Sequence, residues 1–145
     1  MTRIATLAAA VLLTAGVLAQ GAKPITPAQA QASLQGTWVV KSFNGQPAGE
    51  GDQEVTLIVT GDKYAQSVGG TVNERGTVKI DPSKTPMTID LNILEGDDTG
   101  KLQLGVIEIT GDTLTCKLNT PGVATRPANL ALEEGFFVVV AARRK

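Results

Sequence analysis

From Trp38 onward the chain alternates apolar and polar residues with a period of two, and Gly, Asn, Asp and Pro punctuate that alternation at short intervals. Past Leu34 no long stretch repeats apolar residues at the spacing of an amphipathic helix. A helical core is therefore excluded and an all-β fold is expected. Segment 38–43 reads as a first strand ending at Asn44-Gly45. Segment 54–60 follows, with Val55, Leu57 and Val59 on one face and Thr56, Ile58 and Thr60 on the other. Gly61-Asp62 and Gly69-Gly70 then turn the chain into strands 63–68 and 71–80, the latter carrying Gly76 at a bulge or bend.

Asp81-Pro82-Ser83-Lys84-Thr85-Pro86 forms a rigid polar corner, because two prolines fix φ and remove two donors. Asp81 is expected to cap that turn. In strand 87–93, Met87, Ile89, Leu91 and Ile93 point one way, and Thr88, Asp90 and Asn92 point the other, with Asp90 facing water. A charged loop at 95–101 leads to strand 102–110. Gly111-Asp112 then turns into 113–119, where Leu114, Cys116 and Leu118 alternate with Thr113, Thr115, Lys117 and Asn119. A long connection through Pro121-Gly122 and Arg126-Pro127 precedes the last strand, 136–142. About eight short strands joined by tight turns make an antiparallel meander, either closed into a barrel or folded as a sandwich. Closure is favoured because an open sheet would leave the apolar segment 136–142 as a bare edge.

The 145 residues contain no His and one Cys, with 13 Lys plus Arg against 14 Asp plus Glu. Without His there is no His-dependent triad and no His-ligated metal, and a lone Cys builds neither an internal disulfide nor a metal cluster. No cofactor and no metal are expected. A formal net charge of -1 gives no electrostatic reason to bind nucleic acid. Arg143-Arg144-Lys145 reads as a solubilising end.

Residues 1–19 have the make-up of an export signal: Arg3 near the start, an apolar run from Ile4 to Ala19, and small residues at Val17-Leu18-Ala19. Cleavage after Ala19 is the first choice, with Ala30 and Ala32 as later alternatives. The run is short for a membrane span of roughly 20 residues, so no span is expected after cleavage. The protein is expected outside the cytoplasm, in the periplasm, the envelope or the medium. Residues 20–33 read as a flexible arm or one short helix, with Thr26 as cap and Pro27 in the first helical position. The globular domain is expected over 34–145.

Leu34-Gln35-Gly36-Thr37-Trp38 resembles the start of lipocalins, where the Trp closes the barrel floor. Further motifs follow in order: Gly61-Asp62-Lys63-Tyr64, Gly69-Gly70, the 81–86 corner with Ile89-Asp90-Leu91, Gly111-Asp112-Thr113-Leu114, Cys116, Pro121-Gly122 and Arg126-Pro127. Together they look like an uncharacterised family of small exported lipocalin-like domains abundant in planctomycete bacteria. The resemblance implies a signal peptide and a lipocalin-like barrel, and it carries over no catalytic residue. The chain departs from that pattern at Leu130, where an aromatic is expected, and at 131–135.

Loop 95–101 fails as a calcium loop, because its twelfth position is Val106 where a Glu is needed. It fails as a phosphate loop, because Leu102 follows Lys101 where Ser or Thr is needed. Cys116, in an apolar row and with no base to ionise it, reads as a small core residue. Three residues are singled out for a ligand: Trp38, Tyr64 and Arg126, the last either covering a barrel mouth or bonding loop carbonyls. Gly36, Trp38, Asp81, Pro82, Lys84, Pro86, Asp90, Gly111, Asp112 and Cys116 are structural positions of the motif. No nucleophile–base pair is visible, so a non-enzymatic role is expected. One expectation is a binder of a small apolar or amphipathic molecule; the other is a filled barrel serving as a structural or interaction module that meets an envelope protein.

Overall fold

A computed structural model describes residues 24–145, so the expected leader at 1–19 lies outside the described residues. Helix α1 (Pro27–Leu34) precedes nine strands: β1 (Gly36–Phe43), β2 (Gln46–Pro47), β3 (Val55–Thr60), β4 (Lys63–Val68), β5 (Thr71–Asp81), β6 (Met87–Glu95), β7 (Leu102–Thr110), β8 (Thr113–Leu118) and β9 (Phe137–Arg143). Strands β1 and β3 to β9 pair antiparallel in chain order, and β9 pairs back onto β1 from Trp38↔Arg143 to Phe43↔Val139. The result is a closed eight-stranded barrel, the all-β meander that the alternation predicts and the lipocalin-like architecture that the resemblance implies. Closure leaves no free edge on the apolar β9. The sandwich alternative is not what forms.

The two-residue β2 was not among the expected strands. It exists because Asn44 and Gly45 both have positive φ, 50° and 78°, which folds β1 back on itself in a two-residue hairpin. Because β1 pairs with β3 only over Gly36–Val39, its second half diverges, and segment 44–54 fills the space between them. The pairing of β5 with β6 shifts register between Arg75 and Gly76, as the glycine predicted. A Cβ on Gly76 would lie 2.1 Å from the Asn92 carbonyl oxygen and 2.8 Å from Tyr64 Cε1. Only a bare backbone lets that aromatic ring lie across the strand.

Inner rows hold Val40, Val59, Val78, Ile80, Ile89, Leu91, Ile107, Leu114 and Ala141. Of the two readings of segment 20–33, tether or helix, the helix forms from Pro27 onward as α1, and α1 belongs to the packed body rather than preceding it. Ala30 and Leu34 are fully buried against the barrel end. The helix starts at a capping box, with Thr26 Oγ1 accepting from the Gln29 N–H at 3.1 Å and Gln29 Oε1 from the Thr26 N–H at 2.9 Å. At its other end Trp38 Nε1 donates to the Leu34 carbonyl at 2.8 Å and Arg143 Nη2 to that of Ser33 at 2.8 Å. Arg143 also binds the Gln35 carbonyl and stacks over Trp38, 4.2 Å from the ring centroid. A cation thus caps the negative end of the helix. This corrects the reading of 143–145 as a merely solubilising end: Arg143 ties the helix to the floor, and Arg144 pairs with Glu54.

The outer wall is partly covered as well. Val106, Lys117 and Val138 are cross-strand neighbours on the outward row, yet all three are buried. The connection at 119–136 lies over them as a strap. Lys117, on the polar row of the alternation, is wholly enclosed, with Nζ 2.7 Å from Glu133 Oε2, 3.3 Å from Asn129 Oδ1 and 4.8 Å from the centre of the Phe136 ring. Among the described residues no helix is long and apolar enough to cross a membrane, and the single cysteine, Cys116, is free.

Candidate functional site

The barrel encloses a cavity of about 620 Å³. Its deep end is formed by Leu34 and the apolar side chains Val59, Val78, Ile89, Ile107, Leu114 and Ala141. Towards the other end of the strands it is bounded by Phe43, Asn44 and Gln46 to Gly49, and by the polar side chains Gln66, Glu74 and Gln103. The inside is therefore graded from apolar depth to polar mouth. Phe43 also stacks on Phe137 at 5.8 Å, adding an aromatic pair to the mouth end.

Of the three side chains expected at a ligand, Tyr64 alone lines the cavity. Its hydroxyl donates to Glu74 Oε1 at 2.8 Å, and burial raises its pKa well above the ordinary tyrosine value, with Glu74 adding to the shift. Trp38 is fully buried and belongs to the floor, where its ring is covered by Arg143 and its N–H is taken by Leu34. Arg126 lies in the strap and takes the second of its two expected roles, bonding carbonyls, although they belong to the wall and not the loop. Nη1 donates to Ile89 O at 3.1 Å and Gly105 O at 2.8 Å, and Nη2 meets Asp90 Oδ1 at 2.6 Å. Asp90 is thus paired rather than free in water.

The other motif positions sit around the floor and turns. Asp81 Oδ1 accepts the Ser83 hydroxyl at 2.6 Å and the Ser83 N–H at 2.9 Å, which holds its carboxyl below the usual range. Pro82, Lys84 and Pro86 lie in that corner, with a cis bond before Pro86. Gly111 opens the β7–β8 turn, and Asp112 beside it is held low first by Lys145 at 3.0 Å and then by Arg143. Gly36 has a φ of 114°, and a Cβ there would lie 3.2 Å from Arg143 Nη1. Loop 95–101 closes on itself through Lys101 Nζ to Asp98 at 2.7 Å and Thr99 Oγ1 to the Gly96 carbonyl at 2.7 Å.

Of the structural motif positions, Cys116 alone lines the cavity. It is buried, and burial alone pushes its thiol up to about 12. The folded chain therefore keeps a proton that the unfolded chain releases near pH 9. Stability contributed this way is full below that point and is lost as pH rises towards the folded value. Tyr64 acts in the same direction. Unfolding free energy is expected to fall between pH 9 and 11, and less steeply in Cys116→Ala; equal slopes in urea titrations of the two proteins would refute this. Below pH 9 the native thiol is expected to resist alkylation.

Glu74, Gln66 and Gln103 escaped notice in the sequence. Their signal was a polar side chain on an inward period-two row: Glu74 before Gly76 and Val78, Gln66 after Tyr64, and Gln103 before Gly105 and Ile107. Compared with protein-family models, curated proteins and solved structures, the chain matches none of them.

Proposed function

We propose that this chain is an exported, non-enzymatic member of the lipocalin-like domains it resembles, and that it holds one apolar or amphipathic small molecule inside its barrel. The observation carrying this reading is the cavity. About 620 Å³ lies inside the ~300–1,000 Å³ range of small-molecule sites, and its walls are apolar with a few polar groups at one end. A barrel serving only as a scaffold would be expected to fill this space with its own side chains, as an interior of eight strands is narrow enough to allow. Export rests on the leader pattern in residues 1–19. Cleavage after Ala19 leaves α1 whole, whereas cleavage after Ala30 or Ala32 would cut away the cap that closes the floor.

Native mass spectrometry of the protein purified from its source tests both halves. The expected mass begins at Gln20, and 1-dodecanol adds as one molecule per chain. Val139→Trp, which fills the cavity from β9, should abolish that adduct. A mass beginning at Met1 would overturn export, and no adduct in the native chain would overturn ligand binding.

A further inference from the structure

Among the described residues, the cavity is lined by one formally charged side chain. Glu74 is the only carboxylate among the lining residues, and no Lys or Arg is among them. It takes part in none of the ion pairs among the described residues. One of its oxygens, Oε1, accepts the Tyr64 hydroxyl, while Oε2 has no hydrogen-bond partner among the described residues. Tyr64 has thereby spent its only proton and has none to offer a ligand. Gln103 Nε2 donates to the Asn119 carbonyl at 2.8 Å, and an N–H must face that carbonyl, so the side-chain oxygen of Gln103 is the end left over. Asn44, whose Oδ1 accepts the Val138 N–H, keeps its amide N–H groups, and Gln46 and Gln66 carry both donors and acceptors, so the neutral groups near the mouth suit either kind of head and the one feature that discriminates is the negative charge of Glu74.

That inventory discriminates between head groups. An anionic head would be brought beside a half-buried, unpaired carboxylate with no cation to offset it. A protonated amine supplies the donor that Glu74 Oε2 lacks and neutralises Glu74 with a charge-assisted hydrogen bond, the stronger kind. We propose that the cavity selects amphipathic molecules that carry an ammonium head on an alkyl chain, with the head on Glu74 Oε2 and the chain running towards Leu34. Tyr64 acts as a positioning residue, holding the carboxylate from the bare strand at Gly76. This deepens the ligand-binding reading above and rests on it.

Calorimetric titration of the leader-free chain with dodecylamine, 1-dodecanol and dodecanoate, each below its micelle concentration, separates the two claims. The amine is expected to bind at least about tenfold tighter than the carboxylate, with the alcohol between them. Glu74→Gln should erase the advantage of the amine over the alcohol, and Glu74→Lys should reverse the order of amine and carboxylate. Retained alcohol binding reports that each variant is folded. If the native chain binds the alcohol but takes dodecanoate as tightly as the amine, or if the amine preference survives in either variant, head-group selection is overturned and the cavity reading stands. If none of the three binds the native chain, both fall.

Discussion

Trp38→Ala is expected to lower the unfolding free energy by about 3–5 kcal/mol, the cost of removing a fully buried large aromatic side chain. Against a native stability of roughly 5–15 kcal/mol this is the largest single-residue loss expected in the chain. Three contacts go at once. The ring is the floor of the barrel, its N–H satisfies the Leu34 carbonyl, and its face supports the Arg143 guanidinium that caps α1. Trp38→Phe keeps much of the packing and loses the hydrogen bond, so it should cost less, about 1–2 kcal/mol. Urea unfolding followed by far-UV circular dichroism reads both variants, since Trp38 is the only tryptophan and fluorescence is lost with it. A loss below about 1 kcal/mol for Trp38→Ala would mean that α1 and the floor are not coupled as described.

Glu133→Ala is expected to cost about 1–3 kcal/mol, an effect out of scale for a surface glutamate. The reason is its partner. Lys117 has no solvent access, so loss of the carboxylate leaves a buried ammonium with only Asn129 Oδ1 and the Phe136 ring. The cost stays below that of a fully enclosed pair because Glu133 is itself 56% exposed. Lys117→Met, which removes the charge and keeps the length, should lie within about 1 kcal/mol of the native chain. In the Lys117→Met background, Glu133→Ala should then cost nothing measurable. A double-mutant cycle in urea gives the coupling directly. Additive losses would mean that the Lys117–Glu133 pair does not help to hold the strap.

The strand segments were legible because a sheet residue's face is set by parity, a local property that short-range alternation encodes. Met87, Ile89 and Leu91 do turn inward and Ile58 does turn outward, and the bulge at Gly76 falls where the glycine stands. Parity also explains what was missed. It assigns Lys117 to the outer face correctly, yet says nothing of whether 119–136 returns over that face. Arg143 looked like one cation of a basic terminus, and only its register opposite Trp38 places it over the ring. Asp90 and Arg126 are far apart in the chain, so their pairing is invisible until the strap is laid down. Glu74 was the reverse case. Its inward parity was readable, but a lone charge near a strand end looks like an ordinary surface residue until the barrel is seen to be hollow.

The sequence by itself determined the β class, the strand boundaries to within a residue or two, the turns and the absence of a disulfide, because each follows from local period, backbone preference or residue count. Tertiary structure alone decided that α1 plugs one end, that a strap buries one outer row, and that space remains inside. Those outcomes depend on which distant surfaces meet and on how the summed side-chain volumes compare with the circumference of eight strands, and no local stretch of chain carries either quantity.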